Sequence, residues 1–210
     1  MKGYWINEMF YSLQGEGVRA GTANVFVRFK GCNLACSMEA GPKSPGGFDC
    51  DTEFESGIKM CADDILKAAI TTAVAGGYEK GRLGVIFTGG EPGIQLDADL
   101  VEKFKDAGWH TAIETNGSVN VSGLGLDFIC VSPKVAEHAI KQMEADEVRY
   151  VRGHGQGIPK PKCKATHKLI SPAFNGNTMD QRAVKWCMDL VQANPDWKLS
   201  VQLHKVWNVR

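Results

Sequence analysis

Cys32, Cys36 and Cys50 lie within one stretch, GCNLACSMEAGPKSPGGFDCDTEF from Gly31 to Phe54, directly after an apolar run. Three thiolates are one too few for a closed structural zinc site, which takes four protein ligands. A four-iron, four-sulfur cluster held by three cysteines, in contrast, keeps one iron open to another ligand. Plainer readings stand beside this one. A zinc knuckle could be completed by Cys61, His110 or the Cys163 to His167 pair, or the thiols could simply be buried in a reducing compartment.

The neighbouring residues favour the open cluster. NVFVRFKGC precedes the first cysteine, CDT marks the third, and VIFTGGEP follows further along. Together these resemble the radical S-adenosylmethionine enzymes. Within that superfamily, LQGEG at 13 to 17, VRFKGCNL at 27 to 34, CDTEF at 50 to 54 and QLHK at 202 to 205 are similar to the 7-carboxy-7-deazaguanine synthases, nearly end to end. The cysteine spacing departs from the usual CxxxCxxC. It reads C-x3-C-x13-C, with an insertion of about residues 37–49 rich in Gly, Pro and Ser. The CDT signature makes Cys50 the third ligand, because Gly47 and not cysteine stands at the earlier spacing, and Cys36 the second.

The resemblance implies a set of site residues. Leu13, Gln14, Gly15, Glu16, Arg28, Thr88, His204 and the terminal carboxylate of Arg210 would face the substrate. Asp49, Cys50, Asp51, Gly89, Gly90, Glu91, Glu114, Ser132, Pro133, Lys134, Ser171 and Phe174 would surround S-adenosylmethionine, and Thr52 would ligate magnesium. It also implies reductive cleavage of S-adenosylmethionine to a 5′-deoxyadenosyl radical, fed by an electron donor such as a flavodoxin. The substrate would be 6-carboxytetrahydropterin, and the chain a cytoplasmic homodimer.

Taken alone, several of these residues have ordinary explanations. LQGEG and TGGEP read as glycine turns, Asp51-Thr52 as a turn or helix cap, and a lone strand histidine as structural. Gly15 would let a flat heterocycle approach the backbone, and Gln14 with Glu16 would supply the donors and acceptors of a guanine-like edge. Arg28 sits beside Phe26 on the face opposite Val25, Val27 and Phe29. An edge position with a snorkelling side chain explains it, as does bidentate pairing with a substrate carboxylate.

The elements that must carry these groups follow from periodicity. Strands are expected over 4–12, 24–30, 83–87, 109–114, 127–131, 147–151, 167–170 and 199–206, with Val201 and Leu203 on one side of the last and Gln202 and His204 on the other. Helices are expected over 62–75, 96–107 and 179–193, the last burying Ala183, Cys187 and Val191. About six parallel strands with three long helices imply an α/β fold, a partial (β/α) barrel with its ligands at the carboxyl ends of the strands. RGHGQGIPKPKCKAT at 152 to 166 carries glycines and lysines, but no helix pattern follows, so a phosphate loop is not expected and a solvated connection is.

The whole is read as one domain of 210 residues. Lys plus Arg equals Asp plus Glu at 24 each, which gives no bulk attraction to nucleic acid or anionic membrane. The N-terminus MKGYWINEMF lacks the pattern of a signal peptide, and no apolar run reaches ~18 residues. Two rival functions share part of the pattern: a glycyl-radical activase, against which LQGEG and QLHK argue, and a non-enzymatic zinc module.

Overall fold

The computed structural model describes residues 2–34, 53–175 and 178–209. The chain runs β1 (Tyr4–Leu13), β2 (Ala23–Phe29), β3 (Ile58–Met60), α1 (Ala62–Ala75), β4 (Gly84–Gly89), α2 (Ala98–Asp106), β5 (His110–Thr115) and β6 (Phe128–Val131). It continues through β7 (Glu144–Arg152), β8 (Lys164–Pro172), the small hairpin β9 (Phe174–Asn175) and β10 (Thr178–Met179), α3 (Gln181–Ala193), β11 (Trp197–Leu199) and α4 (Leu203–Trp207). Nine strands form one sheet in the order β11-β8-β7-β6-β5-β4-β2-β1-β3. From β2 to β11 every pairing is parallel, and β1 and β3 extend one edge antiparallel. Among the described residues the sheet has two free ends and is not closed, so the expected partial barrel is present, with seven strands in parallel pairing and two more added by antiparallel pairing.

Composition explains which face the helices cover. Val25, Val27 and Phe29 of β2, Val85 and Phe87 of β4 and Ile113 of β5 point to one side, where they meet Ile65, Ala69 and Ala73 of α1 and Leu100, Val101 and Phe104 of α2. The helix residues recur every three or four positions, so each helix offers a stripe to the sheet. Farther along, Val148, Tyr150, Ile170 and Trp197 pack against Cys187 of α3, the core position expected for that cysteine. Asp97 caps α2 by accepting from Leu100 N at 3.1 Å, and Asp180 caps α3 by accepting from Arg182 N at 2.9 Å.

The opposite, concave face is mixed. Parallel register places Phe26 beside Ile86, Ile86 beside Ala112 and Ala112 beside Phe128. One step toward the carboxyl ends, Arg28 lies beside Thr88, Glu114 beside Cys130, and Cys130 beside Glu147. Apolar residues therefore line the lower part of the concavity and polar ones the upper part. β2 is an interior strand, paired with both β1 and β4, so Arg28 is not at an edge.

The end of the chain corrects one expectation. Residues 199–206 do not form a closing strand: β11 ends at Leu199, and 203–207 make a short helix. Ser200 N makes the last bond to the sheet, at Ile170 O, after which Leu203 N turns to Gly15 O at 2.8 Å. Two alternating apolar residues are a weak strand signal once the backbone finds its partners elsewhere. Residues 153–162 form an irregular, largely exposed connection, held by Trp186 Nε1 donating to Gln156 O and Arg152 Nε to Gly157 O. His154 in this connection lies against the Trp186 ring. Among the described residues no helix is long and apolar enough to cross a membrane.

Candidate active site

Three loops meet at the carboxyl ends of β2, β4 and β5. Gly90 N donates to Phe29 O at 3.2 Å and Glu91 N to Gly31 O at 2.9 Å, which seats the TGGEP turn against the chain leading to Cys32. The contact is close. A Cβ on Gly90 would stand 2.1 Å from Gly31 O and 2.9 Å from Cys32 Cβ, and one on Gly89, whose φ is +136°, would stand 2.2 Å from Phe29 O. The chain itself therefore requires both glycines, apart from any ligand.

Glu91 ties the second loop to the third. Its carboxylate is fully buried and accepts from Thr115 Oγ1 at 2.7 Å, Asn116 N at 2.7 Å and Gly93 N at 2.9 Å. Burial pushes its pKa up, and the three donors pull it back only in part. Asn116 then reaches the first loop, its Nδ2 lying 3.9 Å from Cys32 Sγ and 3.4 Å from Asn33 Oδ1. Leu34 N also donates to Cys32 Sγ at 3.4 Å. Two N–H donors are thus aimed at the one sulfur. Thr115 and Asn116 belong to the Glu114-Thr-Asn-Gly117 segment at the end of its strand, which reads from sequence equally as a turn or as part of the site, whereas Asn33 and Ser118 have no such signal, because short polar loop residues look alike until the fold joins them.

The second part of the site fills the concave face. The segment after β1 folds across it: Gln14 Nε2 donates to Glu114 Oε1 at 2.8 Å and Val18 N to Glu147 Oε2 at 2.8 Å. Arg149 stands between three carboxylates, with Nε 2.8 Å from Glu16, Nη2 2.6 Å from Glu114 and Nη1 2.7 Å from Glu147. Burial opposes the charge of Glu16, but Arg149, the Gln202 amide and the charges of His204 and Lys134 outweigh it, so its pKa is lowered. Glu114 goes the other way. Burial and the like charges of Glu147 and Glu16 overcome Arg149 and raise its pKa.

From the C-terminal side, Gln202 Nε2 donates to Glu16 Oε1 at 2.6 Å. His204 packs so closely on Gly15 that an added Cβ would lie 2.4 Å from its Nδ1. The expected substrate residues Gln14, Gly15, Glu16 and His204 thus gather in one place, joined by Glu114, which was expected near S-adenosylmethionine. Leu13 ends β1 at 37% exposure. Glu147 and Arg149 were missed. Their signal was the E-V-R-Y alternation, which puts two charges on the sheet face opposite buried Val148 and Tyr150.

Arg28 Nε meets Glu8 Oε1 at 2.8 Å, with its guanidinium over the Phe10 ring and its backbone beside Thr88. Ser132, Pro133 and Lys134 follow β6, and Lys134 Nζ lies 3.1 Å from Ser132 Oγ. Ser171 is buried at the end of β8, where its hydroxyl has no hydrogen-bond partner among the described residues, and Phe174 lies under Lys205 Nζ. Cys36, Asp49, Cys50, Asp51, Thr52 and Arg210 lie outside the described residues. Of the residues considered for a zinc knuckle, Cys61 bonds Asp64 at the start of α1 and Cys163 packs against Val131 and Ile140. Among the described residues no three His, Cys, Asp or Glu side chains form a metal-binding group.

No family model matches the chain. Its relatives are close, however. A 7-carboxy-7-deazaguanine synthase from Bacteroides thetaiotaomicron is 37% identical over 207 residues, spanning 98% of both chains. One from Burkholderia multivorans is 38% identical over 216 residues, spanning 98% of this chain and 99% of the relative. The crystal structure of QueE from Escherichia coli superposes with a TM-score of 0.66 at 25% identity, covering 96% of this chain and 95% of that one. With such identity along almost its whole length, this chain belongs to the 7-carboxy-7-deazaguanine synthase family.

Proposed function

We propose that the protein is a radical S-adenosylmethionine enzyme that converts 6-carboxy-5,6,7,8-tetrahydropterin to 7-carboxy-7-deazaguanine with loss of ammonia, in the route to queuosine-type bases. The observation that carries this reading is the corner where Cys32, Gly89-Gly90-Glu91 and Asn116 meet, in a chain related end to end to synthases of that name. The residues fit the implied group. Cys32 has two N–H donors on its sulfur and a glycine-lined wall beside it, and Cys36 with Cys50 would complete a three-cysteine set for a four-iron, four-sulfur cluster.

When bound, the cluster and S-adenosylmethionine supply one-electron radical chemistry. The chain's own residues have the tasks of binding and orientation. Gly89 and Gly90 would offer main-chain groups to the amino group of S-adenosylmethionine, Lys134 would neutralise its carboxylate, and Ser171 and Phe174 would border its adenine. Arg28, steadied by Glu8, would pair with the substrate carboxylate near Thr88. Gln14, Glu16, His204 and the Arg210 carboxylate would hold the pterin, with the 13–17 segment excluding water. Thr52 would give magnesium one oxygen while substrate and waters supply the rest. One domain, a homodimeric cytoplasmic enzyme and a flavodoxin-like donor complete the reading.

Anaerobically reconstituted protein, given dithionite, magnesium, S-adenosylmethionine and 6-carboxytetrahydropterin, should release a deazapurine and ammonia. Cleavage of S-adenosylmethionine without a deazapurine would defeat the synthase assignment, and a colourless zinc protein would defeat the radical one. For the metal, Thr52→Ala should raise the magnesium needed for half-maximal turnover, whereas unchanged dependence removes Thr52 as its ligand.

A further inference from the structure

Arg149 bonds three carboxylates and, with the further contact made by one of them, connects its strand to three other parts of the chain. It bonds Glu16 from the segment after β1, Glu114 from β5 and Glu147 from its own strand, and Glu16 in turn holds Gln202 before α4. The guanidinium is almost sealed from solvent, at 6% exposure, and Glu147 more so at 1%. Glu147 also fixes the crossing segment by its backbone, accepting from Val18 N. One strand of the sheet therefore grips the crossing segment twice, through the Glu16 side chain and through the Val18 main chain.

Three carboxylates contact one guanidinium, and Arg19 and Lys134 add positive charge nearby. The guanidinium therefore does more than neutralise one buried acid: its planar fork fixes three side chains from separate parts of the chain at once. Glu16 and Glu114 are also the more accessible members, at 15% and 20% exposure, and thus the ones a bound molecule can reach.

Resting on the pterin reading above, we infer that Arg149 is the positioning residue of the substrate pocket. By holding Glu16 and Glu114 in a fixed fork, with Glu147 as its anchor, it sets the place of the 13–17 segment and the carboxylates' readiness to accept the pterin's N–H groups. The charged and titratable groups facing the cluster are Arg19 and Cys130, electrostatically coupled to Glu114 or Arg149, and His204 and Lys134, coupled to Glu16. Lysine cannot replace the fork, since it offers a point charge and not a planar set of five donors.

The test uses the reconstituted enzyme, with kinetics on 6-carboxytetrahydropterin and fluorescence titration of 6-carboxypterin, its stable oxidised analogue, across pH. Arg149→Lys should lower kcat/KM by about 100-fold, mostly through KM, as expected for loss of positioning. It should also move the acid limb of 6-carboxypterin binding to higher pH. Glu147→Gln keeps the fork but removes a like charge, so the same limb should move to lower pH as Glu114 ionises more readily. A KM that stays within twofold in Arg149→Lys overturns the inference, and so does an acid limb that does not move in Glu147→Gln even if the lysine variant fails to fold. Wild-type enzyme that neither binds nor turns over the pterin would instead reject the substrate reading on which this inference rests.

Discussion

Behind the sheet, Phe87, Phe104 and Trp109 stack edge to face with centroids 5.4 and 5.3 Å apart. In front of it and along the carboxyl ends of its strands, Arg149 meets three carboxylates and Glu91 meets three donors. Both faces are closely packed, but they hold by different physics. The back is non-directional, and its strength follows apolar area removed from water. The front is directional, where a missing donor leaves its partner buried and unsatisfied. Stability is thus carried on one face and geometry on the other.

The largest effect should come from the back. Phe104→Ala removes a fully buried ring that touches both Phe87 and Trp109, and urea denaturation should show a loss of about 3–5 kcal/mol. A loss below about 1 kcal/mol would mean that the apolar face is not what holds the fold, and the contrast between the faces would disappear.

Glu91→Gln tests the front by changing almost no volume. The amide can still accept from Thr115 and Gly93, but its NH2 then faces the Asn116 N–H, donor against donor. The expected cost is about 2 kcal/mol. Its pH dependence has a definite sign. The Glu91 pKa is raised in the fold, so its contribution is complete at low pH and declines as pH rises through that raised value. Glutamine has no such decline, and the gap between wild type and variant should narrow with rising pH. A gap that widens would show that the carboxylate is held ionised and not against its burial.

The two faces also differed in how legible they were. Helices over 62–75 and close to 98–106 and 181–193 follow from a 3.6-residue period and a stop at glycine or a cap, and the back-face residues of β2 follow from alternation. Such signals are local. The front depends on contacts such as Gln14 with Glu114 and Gln202 with Glu16, separated by 100 and 186 positions, and no window of sequence contains them. The motifs marked the right places without always giving the reason. Gly15 and Gly90 were expected to make room for ligands, yet they already make room for His204 and Gly31. The strand expected over 199–206 failed on the same ground, since Leu203 takes its backbone partner from Gly15 and not from the sheet.

Tyr4→Phe should have a smaller effect, and it asks whether a polar contact at the rim of the back face behaves like one in front. Tyr4 OH donates to Asp97 Oδ1 at 2.8 Å, and Lys2 bonds the other oxygen. Removing one such bond should cost about 1 kcal/mol in a thermal or urea melt. Burial opposes the Asp97 charge, but Lys2, Tyr4 and Leu100 N outweigh it and lower its pKa. Its contribution is therefore present above the ordinary carboxylate range and lost as pH falls through the depressed value. With Tyr4 gone that value rises, and the acid loss should begin at a higher pH. An unchanged acid limb would assign the depression to Lys2 and Leu100 N without Tyr4.

The smallest effect should come from an ion pair outside both faces. Lys185 and Asp189 are 3.6 Å apart on α3, at 80% and 54% exposure, in the i, i+4 relation. The pair is also longer than the Arg149 contacts, which lie at 2.6 to 2.8 Å. Its surroundings differ in each respect that matters: water screens the charges, both side chains lose rotamer freedom when they pair, and lysine precedes the acid, which is the less favourable order along a helix. Lys185→Ala should therefore change the unfolding free energy by no more than about 0.3 kcal/mol, with alanine's helix propensity offsetting part even of that. A melt that moved by several degrees would show that charge pairing stabilises this protein wherever it occurs. The weight given to burial around Arg149 would then have to be transferred to charge alone.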